Sequence, residues 1–184
     1  MHTSGVHQSL ERLTKVLEDL KLPFVVSDAL AVNHYGHLRA TTDVDLLMTR
    51  DDLSIFKDQH IGRGWLKKFE GSKGFRDTVT NIPIVVLIVG DYPGDGKPKD
   101  IAFPHPADVA EFDKSGVPYI RLSSLIELKL ASAMTAPDRP RDYDDVIQLI
   151  RKNDLPCAYG DALNPYVHEA WHRMWAASRH SDEY

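Results

Sequence analysis

The chain has 184 residues, 42% hydrophobic and 27% charged, a balance typical of a globular protein with one sizeable core. Its formal net charge of −5 gives the chain as a whole no electrostatic attraction to nucleic acid or to an anionic membrane surface. The single cysteine, Cys157, excludes an internal disulfide, and residues 1–13 lack the apolar run of a signal peptide. We therefore expect a cytoplasmic protein that does not contact membranes.

The first half of the chain alternates between helical and strand patterns. Apolar residues at helical spacing predict a helix over 6–20. A second helix is predicted to begin at Ser27-Asp28 and to end at Gly36, because serine and aspartate favour helix starts and glycine favours helix ends. A third helix is predicted over 50–60. The stretches predicted as strands are PFVV, DVDLLM, WLKKF, FRDTVT and IPIVVLIV.

The second half becomes helical after the turn-rich stretch DYPGDGKPKD. GVPYI is predicted to be a short edge strand, and helices are predicted over 123–134, 138–152 and 163–178. This order predicts an α+β (mixed α/β) fold, with a mixed β-sheet flanked by helices and a helical C-terminal third. We expect an α/β core over 1–122 and a helical region over 123–184 that packs on it.

Two aspartates, Asp43 and Asp45, are separated by one residue in the predicted strand DVDLLM. Residues two apart in a strand share a face, with Cα atoms about 6.6 Å apart, and the apolar residues of the strand then face the other side. Two like charges held this close repel each other. A divalent cation offsets the repulsion, because Mg²⁺ prefers carboxylate oxygens. The alternative is that the acids lie at the exposed start of the strand or pair with a base such as Arg39.

The stretch HLRATTDVDLL, which follows a strand, a turn and a helix, resembles the signature of the nucleotidyltransferase superfamily that includes DNA polymerase β. A second stretch, LIELKLASAMTAPDRPRDYDDVIQLI, is similar to the helical region of its stand-alone bacterial AbiEii/MNT-like members. The resemblance covers about residues 20–152. It implies the nucleotidyltransferase fold and, for some branches, membership of a toxin–antitoxin pair. The positions that match the second stretch are Lys129, Arg141, Asp142 and Asp145.

The resemblance also implies a reaction and a set of site residues. The reaction is Mg- (or Mn-) dependent transfer of a nucleoside monophosphate from an NTP to an acceptor hydroxyl of a nucleic acid such as RNA, or of a protein. Asp43 and Asp45 would be the catalytic, metal-binding residues. The implied nucleotide- and phosphate-binding residues are Ser27, Arg39, Thr41, Thr42 and Lys129, with Arg141 and Asp142 in supporting positions.

Two positions depart from the pattern of the superfamily. Val85 stands where a third carboxylate is expected on IPIVVLIVG, and Asp77 and Asp91, although of the same strand parity, lie several residues away. Asp28 stands in the turn where the family's glycines approach the triphosphate, and its charge would repel phosphates. The sequence therefore leaves open a weakly active transferase and a degenerate, non-catalytic member that binds a nucleotide or a partner.

HEAWH, residues 168–172, fits the pattern H-E-x-x-H. His168 and His172 would share a helix face and bind zinc, with Glu169 as the base. The usual downstream third ligand is absent, so a zinc hydrolase is the third alternative, weighed against an amphipathic helix that contains two histidines.

Four basic residues cluster between the predicted strands that follow the third helix. They either contact a nucleic-acid acceptor or form an ordinary solvated strand edge. These residues are Lys67, Lys68, Lys73 and Arg76.

Overall fold

The structure, a computed structural model, describes residues 4–180. Within these residues a seven-stranded mixed sheet is combined with helices, which confirms the predicted fold class. The strands are β1 (Val25–Val26), β2 (Val44–Met48), β3 (Trp65–Lys67), β4 (Phe75–Asp77), β5 (Pro83–Ile88), β6 (Ala110–Phe112) and β7 (Pro118–Ile120). The helices are α1 (Gly5–Asp19), α2 (Asp28–His34), α3 (Arg50–His60), α4 (Pro106–Val109), α5 (Leu122–Thr135), α6 (Arg141–Lys152) and α7 (His168–Ser178), with 3₁₀ turns at Cys157–Ala162 and Pro165–Val167.

The strand order of the sheet is β3-β4-β5-β2-β1-β7-β6. The central strand, β2, pairs in parallel with β5 and antiparallel with β1. The prediction that GVPYI forms an edge strand was wrong, because β7 has β1 on one side and β6 on the other. The edge strand β6 joins β7 through a tight turn in which the Asp113 carboxylate accepts hydrogen bonds from the backbone N–H groups of Ser115 and Val117.

The chain divides into two compact units. The first comprises the residues up to 31, then 40–89 and 104–120, and it contains the whole sheet together with α1 and α3. The second comprises 32–39, 90–103 and the residues from 121 onward, and it contains α5, α6 and α7. No helix within residues 4–180 is long and apolar enough to cross a membrane.

One face of the sheet carries the core of the first unit. The inward residues of α1 recur at helical spacing and pack against alternate residues of β2 and β5. Because successive side chains of a strand point to opposite faces, Asp45 lies on the face away from this cluster. The core residues that these three elements contribute are Val6, Leu10, Leu13, Leu17, Val44, Leu46, Met48, Ile84, Val86 and Ile88.

In the second unit, helix α7 packs against the 3₁₀ turn at Cys157–Ala162. The Trp171 side chain is fully buried, and its indole N–H donates to the Cys157 carbonyl at 2.9 Å. Gly160 lies so close to the Trp171 ring that a Cβ atom there would come within 2.1 Å of it. The absence of a side chain at Gly160 therefore lets the turn pack on the indole.

Candidate functional site

The predicted aspartate pair lies at the start of the central strand. Asp45 is the second residue of β2 and is 8% exposed. The strand begins at Val44, one residue later than predicted, so Asp43 is half-buried in the bend that precedes it. The Ser27 N–H donates to the Asp45 carbonyl at 2.9 Å and continues the pairing between β1 and β2. The backbone of Asp45 is thus held by β5 on one side and by Ser27 on the other.

Thr41 orients the Asp43 carboxylate. Its hydroxyl donates to Asp43 Oδ1 at 2.9 Å and lies 3.3 Å from the Asp43 carbonyl oxygen. A hydroxyl is neutral, so it fixes the carboxylate without cancelling the negative charge. Thr42, between the two residues, is exposed.

Val85 lies directly beside Asp45. The two residues are paired across the parallel β2–β5 ladder, where neighbouring strands are about 4.8 Å apart and paired side chains share a face. Val85 is 37% exposed, although most apolar residues of this sheet are buried. The neighbour of the Asp45 carboxylate on this strand is therefore a group that neither binds a metal nor accepts a proton.

Asp77 faces the opposite side of the sheet, so the parity predicted for it was wrong. The antiparallel register of β4 on β5 directs its side chain toward α1, where it is fully buried and accepts hydrogen bonds at 3.0 Å from Ser9 Oγ and Arg12 Nε. Burial by itself raises the pKa of the Asp77 carboxyl. Hydrogen bonds from the Val79 N–H, Arg12 and Ser9, together with the Arg12 charge, outweigh burial and hold the pKa below its usual value.

The turn between β1 and α2 has an unusual backbone. Helix α2 begins at Asp28, as predicted, but the φ angle of Asp28 is +45°, in the left-handed region that favours glycine. The preceding Ser27 is buried. The turn thus combines the backbone of a glycine position with a carboxylate side chain, a combination that the local pattern did not indicate.

In the second unit, Lys129 lies in a network of ion pairs. Lys129 is 4% exposed, and its Nζ is 3.0 Å from Asp142 Oδ1 and 2.8 Å from Asp145 Oδ2. The Arg39 guanidinium contacts Asp145 at two points, Nε to Oδ1 at 2.9 Å and Nη2 to Oδ2 at 3.0 Å. Each of the two acids in this network is therefore paired with at least one cation.

Two residues of the network were not predicted as site residues. Asp145 is fully buried and joins both cations, and its sequence signal is the spacing of three from Asp142, which puts both acids on one face of α6. Asn33 clamps the backbone of Arg39: its side-chain oxygen accepts from the Arg39 N–H at 2.8 Å, and its amide donates to the Arg39 carbonyl at 2.9 Å. Arg141, the first residue of α6, is exposed.

The two histidines of HEAWH have structural neighbours within the second unit. A ring nitrogen of His168 is 2.8 Å from the Leu163 carbonyl, and His172 Nδ1 is 3.5 Å from the Cys157 sulfur. Glu169 is exposed. Among residues 4–180, no third potential ligand joins these histidines in a metal-binding group.

No family model matches the chain, and no curated protein matches it. Among solved structures, the crystal structure of ANT(2'')-Ia in complex with adenylyl-2''-tobramycin aligns with a TM-score of 0.51 at 14% sequence identity, over 94% of this chain and 97% of that chain. The solution structure of the antibiotic-resistance factor ANT(2'')-Ia aligns with a TM-score of 0.43 at 14% identity, over 92% and 82% of the two chains. ANT(2'')-Ia is a nucleotidyltransferase, and the alignment with its crystal structure indicates a nucleotidyltransferase-like fold for this chain.

Proposed function

We propose that the protein transfers a nucleoside monophosphate from an NTP to an acceptor hydroxyl of a nucleic acid or a protein. The observation that carries this proposal is the Asp45 carboxylate on the central strand, which faces away from the core with Asp43 two residues before it. The fold similarity to ANT(2'')-Ia supports the class of reaction. Membership of a toxin–antitoxin pair stays a prediction.

The donor set of Asp43 and Asp45 fits Mg²⁺ or Mn²⁺, because both side chains offer hard carboxylate oxygens. A bound ion of this kind supplies positive charge that stabilises the transferring phosphoryl group. The chain's own contribution is orientation. Thr41 fixes the Asp43 carboxylate, and the hydrogen bonds on both sides of β2 fix the backbone of Asp45.

The nucleotide phosphates would bind near the turn that precedes α2, where the hydroxyls of Ser27 and Thr42 are potential donors. Asp28 opposes this binding by its charge. The predicted phosphate contacts of Arg39 and Lys129 would require both cations to share their ion pairs with phosphate oxygens, because Asp145 already binds both of them.

The test is labelling. Purified protein is incubated with Mg²⁺, each of four α-³²P-labelled NTPs and either total RNA or total protein. We expect label on one acceptor, and we expect Asp43→Ala to lower the rate at least about 100-fold, as removal of one catalytic electrostatic group does. Asp19→Ala, at an exposed position of α1, is the matched control and should keep the rate. Folded protein that labels no acceptor with any NTP would contradict the proposal.

A second candidate function is non-catalytic binding of a nucleotide or a partner, and the position of Val85 beside Asp45 favours it. Calorimetry of Mg²⁺ and NTP binding to the protein and to Val85→Asp separates the two candidates. Binding without labelling by the unaltered protein, with labelling gained in the variant, supports the non-catalytic candidate. A variant that gains neither metal affinity nor labelling contradicts the inference that the missing third carboxylate of the site would stand at position 85.

A further inference from the structure

Positive charge is concentrated in one short segment of this acidic chain. Residues 57–76 contain six of its 22 Lys and Arg residues but only two of its 27 Asp and Glu residues, a formal charge of +4 in a chain of net charge −5. The segment runs from the end of α3 through β3 to β4 and lies wholly in the first unit. Such segregation gives a local electrostatic attraction that the net charge conceals.

The two strands of this segment, β3 and β4, form a hairpin at the edge of the sheet. Strand β3 pairs with β4, with Lys67 opposite Phe75, and β3 ends the strand order. Lys67 and Lys68 are exposed, and so are two apolar side chains of the hairpin, Leu66 at 51% and Phe69 at 62%. An exposed aromatic ring thus directly follows two lysines in the chain.

Lys57, on α3, is close enough to the hairpin to be influenced by its charges. The pKa of Lys57 lies below its usual value, first because of burial and then because of repulsion by Lys67, with Glu70 opposing both. Glu70 also pairs with Lys67 at 3.1 Å. Glu70 therefore lies near two cations, Lys57 and Lys67, and Lys68 and Lys73 add to the positive charge of the segment.

We propose that this β3–β4 hairpin binds single-stranded nucleic acid. Lys67, Lys68 and Lys73 would contact phosphates, and Phe69 would stack on one base. Phosphate contacts explain the charge, and base stacking explains an exposed aromatic ring beside it. In a duplex the base faces are already stacked on one another, and an acidic peptide contains no bases. Neither ligand would therefore offer a base on which Phe69 could stack. Nucleic-acid binding by the hairpin does not depend on the proposed function. Only the interpretation that the bound nucleic acid is the acceptor of the transfer rests on the proposed function.

One side of the hairpin shares a face of the sheet with the candidate site. Leu66 pairs with Arg76, and Arg76 pairs with Pro83 across antiparallel strands, so these three side chains share one face. Pro83 and Val85 are two apart in β5, and Val85 pairs with Asp45. With three strand spacings of about 4.8 Å, β3 lies about 14 Å from β2. A strand bound on the Leu66 side of the hairpin would therefore adjoin the face that carries Asp45, whereas Lys67, paired with Phe75, points to the opposite face.

Fluorescence anisotropy with a labelled 20-nucleotide single-stranded RNA, without Mg²⁺ or NTP, tests the proposal. Three phosphate contacts predict a log–log salt slope of about −2.1, so affinity should fall about 20-fold between 50 and 200 mM salt. We expect K67E/K68E to bind at least about tenfold more weakly and with a shallower slope. The control K97E/K114E reverses two exposed lysines elsewhere with the same change in net charge, and it should lose less than about threefold.

Phe69→Ala tests the stacking contact and serves if the charge reversal fails to fold. It should weaken binding about fivefold or more with an unchanged salt slope, and Phe69→Trp should restore it. The proposal is overturned by any of three results. These are no saturable binding up to about 100 µM protein at 50 mM salt, equal losses in the two charge reversals, or equally effective competition by polyglutamate or duplex RNA.

The two proposals can fail separately. RNA binding that depends on the hairpin, without labelling that depends on Asp43, supports this inference and contradicts the proposed function. Labelling of an acceptor that K67E/K68E leaves unchanged, together with unchanged RNA binding, supports the proposed function and contradicts this inference.

Discussion

Among the closely spaced aspartates of the molecule, Asp142 and Asp145 of the second unit and Asp43 of the first have very different surroundings. Asp142 and Asp145 on α6 are bound by Lys129, and Arg39 adds a two-point contact to Asp145. Asp43, which precedes β2, is half-buried and accepts its hydrogen bond from the neutral Thr41 hydroxyl. The pair on α6 has its countercharges within the protein. Acid spacing alone therefore does not distinguish the ion-paired acids of α6 from Asp43, whereas the charge of their hydrogen-bond partners does.

The comparison is tested most strongly by the free energy of unfolding in urea. Asp145→Ala leaves two cations without their shared partner and should cost about 3–5 kcal/mol, as loss of one member of a buried ion pair does. Asp43→Ala should cost less than about 1 kcal/mol, and Asp144→Ala, at an exposed position of the same helix, less than about 0.5 kcal/mol. Equal losses for Asp145→Ala and Asp43→Ala would remove the distinction between these two acids.

A smaller effect is expected at Asp77, a buried acid whose partners are mostly neutral donors. Asp77→Asn should destabilise by about 2 kcal/mol at pH 7, because hydrogen bonds to a charged group are lost. The pKa of Asp77 is lowered by folding, so its contribution is present above the unfolded pKa of about 3.9 and is lost as pH falls through the folded pKa.

The measurement is urea unfolding of both proteins from pH 7 down to pH 2. The difference in stability between the protein and Asp77→Asn should shrink below about pH 4. Asp58→Asn, at an exposed position, should show no such trend. A difference that stays constant with pH would mean that the carboxylate charge does not contribute.

The smallest effect is expected at Asp28, whose left-handed backbone costs a non-glycine residue about 1 kcal/mol. Asp28→Gly should raise the free energy of unfolding by about 0.5–1 kcal/mol, since glycine removes this strain but also loosens the unfolded chain. Asp28→Asn removes only the charge. It should be less stable than Asp28→Gly, because it keeps a side chain at the left-handed position, and, like Asp28→Gly, it should tighten NTP binding measured by calorimetry. Equal stability of the glycine and asparagine variants would contradict backbone strain at this position.

Local patterns predicted much of the fold. Helices α1 and α3 show helical periodicity, and strands β2 and β5 contain apolar runs. Each pattern lies within one continuous stretch of the chain, so the sequence predicted these elements and their approximate bounds. The expectation that Val85 stands where a third carboxylate would lie is consistent with the β2–β5 register, which pairs Val85 with Asp45.

The failures share a different cause. The register of β4 on β5 decides which face Asp77 occupies, and register depends on pairing between distant segments. The three-residue strand β6 is too short to show an alternating pattern in the sequence. Because β6 pairs with β7, the edge strand of the sheet is β6 and not β7. The burial of Asp145 and the φ angle of Asp28 arise from tertiary packing and the turn between β1 and α2, which residue types alone do not specify.

The central position of β2 has a consequence for dynamics. Its residues are hydrogen-bonded to β5 on one side, and Leu46 and Leu47 also pair with β1 on the other. Amide hydrogens in such a strand exchange with deuterium only when much of the sheet opens, whereas Thr41 and Thr42 belong to no strand. We therefore expect Asp45 to lie in one of the slowest-exchanging segments of the chain. Conformational adjustment to a bound ligand would then occur in the residues just before Asp45.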